Sequence, residues 1–172
     1  MLLRSIVTLC GTVGPDDCCP AEMKAISIFL TCAALSGCDT LPRDPDSTLD
    51  RIRGGQVIRV GVALPDDTGL AGPAAALLAR VGEETGAKPQ IARGSLEPLL
   101  VNLEQGRLDI VIAAFAHDTP WATRVALAPP LAIQGENADR LELRAAMPNG
   151  ENRWVMLVEK ATRAVAPEAA RS

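Results

Sequence analysis

The chain has 172 residues and a formal net charge of −4 at pH 7, with 48% hydrophobic and 22% charged residues. This length suits one main domain, and the apolar fraction is sufficient for a compact core. Only 2% of the residues are aromatic, and no basic stripe interrupts the mixture of charges. The composition therefore excludes a nucleic-acid-binding surface.

The first segment with a clear pattern begins at Met23, and residues 1–22 are interpreted as an over-extended gene start. Lys24 gives a positive beginning, and the apolar run that follows is too short to span a bilayer. Residues 23–37 are therefore predicted to be a secretory signal peptide. All five cysteines lie at or before Cys38, so no disulfide framework or thiolate metal site is expected downstream.

The Leu-Ser-Gly-Cys sequence that ends at Cys38 resembles the lipobox of bacterial lipoproteins, which implies a lipid on the sulfur of Cys38. The alternative is a signal that is uncleaved or ordinarily cleaved, with Cys38 incidental. Asp39 resembles the residue that retains lipoproteins in the inner membrane of enteric bacteria. Residues 38–48 are polar and contain proline, so they are predicted to form a tether between the lipid and the folded part.

Residues 49–164 are predicted to form one α/β domain in which strands and helices alternate. The first elements are a helix at 49–53 capped by Ser47 or Thr48, a strand at 57–63, a helix at 74–85, a strand at 88–92 and a helix capped by Ser95. The strands are short and rich in apolar or β-branched residues, whereas the helices are bounded by glycine and by capping residues. This alternation implies parallel strands joined by right-handed crossovers.

Residues 99–130 have the pattern of a ligand-binding edge in an open α/β sheet. Gly106 is predicted to end a helix in a left-handed conformation. Asp109 is predicted to order the next loop as a hydrogen-bond acceptor, and residues 110–114 form an apolar run typical of a strand buried on both faces. A polar loop follows at 116–120. Ligands bind open α/β sheets at such carboxyl ends of strands.

At these residues the sequence resembles the periplasmic solute-binding proteins of family 3, which serve ABC importers of amino acids and similar polar solutes. The resemblance rests on the order and spacing of Leu, Gly, Asp, Ile-Ala, Thr-Pro and Val within residues 99–130. It extends back to residues 49–62, which are similar to the opening helix and first strand of the family. It resumes at residues 148–154, which are similar to the closing helix of some members.

The resemblance implies an α/β fold consisting of a single three-layer lobe of a type II periplasmic binding protein, with a mostly parallel sheet flanked by helices. In the family, the chain leaves this lobe, builds a second one and returns. Here residues 131–140 are a short polar bridge, and residues 141–146 are interpreted as the returning strand before a helix that buries Trp154. The second lobe is therefore predicted to be absent, and the tail at 165–172 is predicted to be disordered.

The family holds its solute with hydroxyls, backbone N–H groups and an arginine that binds the solute carboxylate through two N–H groups. The resemblance places ligand-binding residues at Asp67, Thr68, Ser95, Ala114, Phe115, Thr119 and Arg124. The Thr-Pro-x-Arg pattern of the family is broken, because Ala122 occupies the expected arginine position. Arg124 comes two residues later, and a solvated surface arginine is the alternative.

Three further residues have alternative interpretations. Ser95 is first a helix cap and only second a ligand contact. Trp121 either stacks on a ligand or caps the packing of the core. His117 lies in a polar loop where a structural or solvated role is favoured. No nucleophile, metal-ligand or phosphate-binding motif occurs, so no catalytic residue, metal or cofactor is predicted.

These observations predict a lipid-anchored protein on the periplasmic side of the bacterial membrane, with the inner membrane favoured. It would bind an amino acid or similar small polar solute for an ABC-type transport or sensing system. Binding by one open lobe is expected to be weak, with a Kd on the order of millimolar, unless a membrane permease or a second chain supplies the missing lobe.

Two alternatives to solute binding are left open. In the first, the lobe is an interaction protein that docks on a membrane partner and no longer captures solute. In the second, it is an enzyme, because a few relatives in the family are dehydratases. Their chemistry requires a cleft closed by two lobes, so the enzyme is the weaker of these alternatives.

Overall fold

A computed structural model describes residues 44–64, 72–135 and 140–171. The helices are α1 (Thr48–Gly55), α2 (Gly72–Thr85), α3 (Leu96–Glu104) and α4 (Asn152–Val165). The strands are β1 (Val57–Ala63), β2 (Lys88–Arg93), β3 (Ile110–Ala116), β4 (Val125–Leu127), β5 (Ala132–Gln134) and β6 (Leu141–Pro148). The predicted signal peptide, Cys38, Asp67 and Thr68 lie outside the described residues.

All six strands belong to one sheet with the order β2-β1-β3-β6-β4, and β5 also pairs with β6. β1 is parallel to β2 and β3, whereas β6 is antiparallel to β3, β4 and β5. β6 therefore runs against the other five strands, and the predicted mostly parallel sheet is confirmed. The ends at which β1, β2 and β3 finish are called here the carboxyl end of the sheet, and their starting side is called the amino end.

Side chains of β3 alternate between two apolar clusters, one on each face of the sheet. Ile110 and Ile112 face the cluster that includes residues of α1, α2 and α4. Val111 and Phe115 face the second cluster, called here the α3-side cluster, which includes the leucines of α3. Because successive side chains of a strand point to opposite faces, an uninterrupted apolar run is what a sheet covered on both faces requires. The domain thus has the predicted three layers.

One glycine allows close packing against β1, and a second ends α3. A Cβ atom on Gly61 would lie 2.9 Å from Leu108 Cδ1 and 3.0 Å from Val111 Cγ2, so only glycine fits without displacing the core. Gly106 has a φ of 67°, which confirms the predicted left-handed end of α3. The chain can therefore turn directly from α3 into β3.

Asp109 joins elements at the amino end of the sheet. Its buried carboxylate accepts hydrogen bonds from the backbone N of Arg59 at 2.7 Å and from the same residue's Nε at 3.1 Å and Nη2 at 2.6 Å. Arg51 Nη2 lies 2.9 Å from Oδ1, and Trp154 Nε1 donates to the Asp109 carbonyl at 2.8 Å. These residues form the Asp109 network, which confirms the predicted acceptor role.

The first described residues, at the start of α1, are held by a residue just before α4. The buried carboxylate of Glu151 accepts hydrogen bonds from the backbone N of Asp46 and of Thr48, each at 2.7 Å. Ser47 occupies the N-cap position of α1 but makes no side-chain capping hydrogen bond. The expectation of a tether reaching residue 48 is therefore corrected for residues 44–48, because the Glu151 carboxylate replaces the missing cap.

Two other expectations change at the C-terminal part of the domain. The stretch predicted as a polar bridge contains β5, whose Ile133 pairs with Glu142 of β6. The predicted disordered tail is also corrected over residues 165–171, because α4 ends at Val165, Ala166 is buried and Ala169 packs against the core. Within the described residues, no helix has the length and apolar character needed to cross a membrane.

Candidate functional site

Small side chains leave an open surface where β3 ends at the carboxyl end of the sheet. Ala114 and Ala116 are exposed, in contrast to the buried apolar residues earlier in the strand. β2 is held beside β1 up to this end, where the backbone N of Gly94 donates to the carbonyl of Val62 at 3.2 Å. This is the position at which open α/β sheets bind ligands, and Ala114, one of the predicted ligand residues, lies there.

Two predicted hydroxyl ligands flank this end of the sheet. Ser95 is exposed at the N-cap position of α3, and Thr119 is partly exposed before the 3₁₀ turn Pro120–Thr123. Neither side chain makes a capping hydrogen bond. The predicted capping by the Ser95 hydroxyl is therefore not formed. Asp67 and Thr68, the other predicted polar ligands, lie in the loop after β1 that is outside the described residues.

Phe115 is placed differently from the other predicted ligand residues. Its side chain is buried in the α3-side cluster, because it shares the face of β3 that also carries Val111 and Ala113. The ring therefore packs in the core, and the expectation that this side chain contacts a solute is corrected.

Arg124 is bound to neighbouring residues of the lobe. Its Nη2 lies 2.6 Å from Glu104 Oε2, and its guanidinium carbon lies 4.7 Å from the centre of the Trp121 ring. Trp121 itself is partly buried against the α3-side cluster. The ring thus has the core-packing role that was one of its two sequence interpretations, and Arg124 is held over its outer face.

Beside the carboxyl end of β3 lies a charged group that the sequence interpretation missed, the Glu142 cluster of Glu142, His117, Arg140 and Arg144. Glu142 has no exposed surface. Its Oε1 lies 2.9 Å from His117 Nδ1 and accepts a hydrogen bond from Arg140 Nε at 2.8 Å. Its Oε2 accepts a hydrogen bond from Arg144 Nε at 2.6 Å and also contacts Arg144 Nη2.

The Glu142 cluster keeps its buried carboxyl group ionised. Burial by itself would raise the pKa of Glu142, but the hydrogen bonds from His117 and Arg144 and the charges of both arginines lower that pKa below its ordinary value of 4.5. An ionised carboxylate can only accept hydrogen bonds, so His117 Nδ1 carries the proton that points to Glu142. In the form of the ring that carries a single proton, the outer nitrogen Nε2 is then an acceptor.

The alternation Arg-Leu-Glu-Leu-Arg at residues 140–144 was the sequence signal for this cluster. A period of two puts the three charged side chains on one face of a strand. The alternation does not reveal His117, because that contact depends on the register in which Phe115 pairs with Glu142. In the described part of the chain, no group of three or more metal-binding side chains is positioned to hold an ion.

Comparison with known sequences gives no match: no model of a protein family fits the chain, and no curated protein is similar to it. Comparison of folds gives several matches. The arginine-bound form of domain 1 from TmArgBP, the T. maritima arginine-binding protein, matches with a TM-score of 0.57 at 17% identity. That match covers 67% of the present chain and 98% of the domain.

Two further structures extend this likeness. An amino acid ABC transporter substrate-binding protein from Streptococcus pneumoniae, bound to L-arginine, has a TM-score of 0.55 at 10% identity, with 73% of this chain and 98% of that chain covered. The ancestral amino acid-binding protein AncCDT-1, a precursor of cyclohexadienyl dehydratase, has a TM-score of 0.57 at 14% identity, with 72% and 95% covered. The described part of the chain therefore has the fold of a lobe of amino-acid-binding, substrate-binding proteins.

Proposed function

We propose that this chain is a single-lobe solute-binding protein that binds an amino acid or a similar small polar solute at the carboxyl end of its sheet. The match to an isolated first domain supports this proposal most directly, because nearly the whole of that domain is covered. That domain was crystallised in an arginine-bound form, so the absence of a second lobe did not prevent solute binding there. The proposed role is binding rather than catalysis.

The proposal includes an anchor and a cellular setting. The sequence before the folded part supports lipid attachment at Cys38, on the periplasmic side of the bacterial inner membrane, within an ABC-type transport or sensing system. Expression in a Gram-negative host should give a membrane-bound protein that begins at a lipidated Cys38, and Cys38→Ala should prevent processing or release the chain. Mass spectrometry that finds an unmodified Cys38 and cleavage elsewhere contradicts the anchor.

A second function, docking on a membrane partner without solute capture, is favoured by two observations. The predicted ligand residues Phe115 and Arg124 are respectively buried and paired within the lobe. In addition, every residue of the edge strand β2 is exposed, and among the described strands β2 pairs only with β1. An exposed edge strand offers backbone groups to which a partner strand can be added.

Calorimetry distinguishes these two functions. The purified full-length chain is titrated with a panel of L-amino acids, and light scattering records its oligomeric state. Solute capture predicts a saturable heat with at least one amino acid, with a Kd on the order of millimolar for a lone monomer. No heat with any amino acid, together with a membrane protein recovered by cross-linking in cells, supports docking and contradicts solute capture.

A further inference from the structure

We infer that Arg140 and His117, both held by Glu142, form the subsite for the carboxylate of the bound solute. The inference rests on the proposed solute-binding function and identifies which side chains meet the solute. It replaces Arg124, the sequence-based candidate for this contact, with a different arginine. The ligand chemistry is a small carboxylate, of which the amino-acid α-carboxylate is the relevant case.

The Glu142 cluster lies at the end of the sheet where a solute would bind. His117 directly follows the last residue of β3, and Arg140 directly precedes the first residue of β6. These strands are neighbours, and Ala116 pairs with Leu141. Both side chains are therefore at the carboxyl end of the sheet, where this fold class binds ligands.

Arg140 has hydrogen-bond donors that are available to a solute carboxylate. Its Nε is bound to Glu142 Oε1, but among the described residues neither terminal nitrogen of the guanidinium has a hydrogen-bond partner. Arg144 differs, because its Nε and Nη2 contact Glu142 and its Nη1 donates to the Ala128 carbonyl at 3.3 Å. Arg140 thus retains the pair of N–H groups that binds a carboxylate with good geometry.

A shared oxygen of Glu142 holds His117 and Arg140 close together. His117 Nδ1 and Arg140 Nε contact the same atom, Oε1, so they are no farther apart than the sum of those two short distances. The ring of His117 is 65% exposed, and its Nε2 has no partner in the described part of the chain. An accepting Nε2 beside a guanidinium matches the ammonium and carboxylate of a zwitterion.

The charge of the cluster favours an anion. Two guanidinium groups surround one carboxylate, so the cluster is positive by one unit when His117 is neutral, although the whole chain carries −4. The side chains of Arg140, just before β6, and Arg144, within β6, also reach Glu142 from only two residues away. Such local pairs add little to the joining of strands that are already hydrogen-bonded.

The test uses the fact that His117 is the only histidine in the chain, so its ring C–H resonances are unambiguous in a proton NMR spectrum. The full-length chain is titrated with sodium acetate at pH 7 and constant ionic strength, with sodium chloride as the control salt. We expect a saturable shift of the His117 resonances with acetate, with a Kd in the millimolar range, and only a small linear drift with chloride.

Matched arginine variants locate the binding group. Arg140→Gln should abolish the saturable shift, and Arg140→Lys, which keeps the charge but loses the fork, should weaken acetate binding by about tenfold. Arg124→Gln should leave the acetate titration unchanged. A thermal melt of each variant verifies that it is folded before its titration is compared with that of the parent chain.

The outcomes separate the subsite from the proposed function. If acetate gives no saturable shift in the parent chain, or if a folded Arg140→Gln variant responds like the parent, the subsite is overturned even when calorimetry detects amino-acid binding. If acetate binds as expected but no amino acid gives a calorimetric signal, the carboxylate subsite stands and amino-acid capture fails.

Discussion

The Asp109 network and the Glu142 cluster use the same chemistry at opposite ends of the sheet. Each has a carboxylate without exposed surface, and each carboxylate oxygen receives two nitrogen donors. The donors to Asp109 come from β1 and α1, and its carbonyl also binds Trp154 of α4. In contrast, the two arginines that contact Glu142, Arg140 and Arg144, are its near neighbours in the sequence.

This difference in sequence distance distinguishes contacts that stabilise the fold from groups that remain available to a ligand. Arg59 is 50 residues from Asp109, and Trp154 is 45 residues from it, so their bonds fix elements that are otherwise far apart in the chain. Arg140 and Arg144 are each two residues from Glu142. Removal of the Asp109 network should therefore loosen the fold, whereas the Glu142 cluster contains groups that can act without holding the fold together.

The largest effect is expected for Trp154→Ala, which removes a fully buried side chain and its bond to the Asp109 carbonyl. Loss of such a ring should lower the free energy of unfolding by about 3–5 kcal/mol. Trp121→Ala is the matched control, because Trp121 is only partly buried against the α3-side cluster. Urea denaturation measures both variants, and equal losses would contradict the assignment of a main stabilising role to Trp154 and the Asp109 network.

A substitution of the carboxylate itself is the next test. Asp109→Asn keeps the shape but removes the buried charge that two arginines and a backbone N–H contact. We expect a loss of about 3 kcal/mol in the free energy of unfolding, because the breaking of a buried ion pair leaves its partners uncompensated. Denaturant titration at pH 7 checks this value. A loss below that of Glu142→Gln would reverse the comparison.

Glu142→Gln should lower the free energy of unfolding by about 1–2 kcal/mol at pH 7, which is less than the loss for Asp109→Asn. This loss should depend on pH. The pKa of Glu142 is lower in the folded chain than its ordinary value of 4.5. The ionised group therefore stabilises the fold above the unfolded-state pKa, and this contribution is lost as the pH falls through the folded-state pKa. Unfolding measured from pH 7 to pH 3 should show the difference between parent and variant shrinking below about pH 4.5. A difference that stays constant over this pH range would contradict the link between ionisation of Glu142 and stability.

The smallest effect is expected at the Arg124 and Glu104 pair on the surface. The two side chains are 55% and 23% exposed, so solvent screens their interaction. A double-mutant cycle with Arg124→Gln and Glu104→Gln should give a coupling of about 0.2–1 kcal/mol. A coupling well above this range would show that the pair, like the Asp109 network, stabilises the lobe. Thermal unfolding at low and high salt provides the measurement.

Local patterns in the sequence were sufficient for most of the fold. β1 is at its predicted bounds, and Asp109 and Gly106 act as expected, because their roles follow from adjacent residues. β5 was missed because a three-residue strand has too short a pattern to distinguish it from a loop. Phe115 was misplaced because the resemblance was followed there instead of the two-residue period that it shares with Val111 and Ala113.

The Glu142 cluster shows a different limit of sequence interpretation. The alternation at residues 140–144 indicates which charges share a face, but not whether that face is covered. Its burial depends on the pairing of β6 with β3 on one side and with β5 on the other. The contact with His117 spans 25 residues, and no local signal specifies it. A pattern can therefore indicate the arginines, but only the tertiary structure identifies their histidine partner.

The bonds from Glu151 have a consequence for the order of synthesis and folding. They join Glu151 to Thr48 and Asp46, which precede it by 103 and 105 residues. Helix α1 has eight residues and is too short to persist alone in water. A ribosome must therefore release residues up to Glu151 before the start of α1 can be secured, and α1, the first helix of the described residues, is among the last of their elements to become fixed.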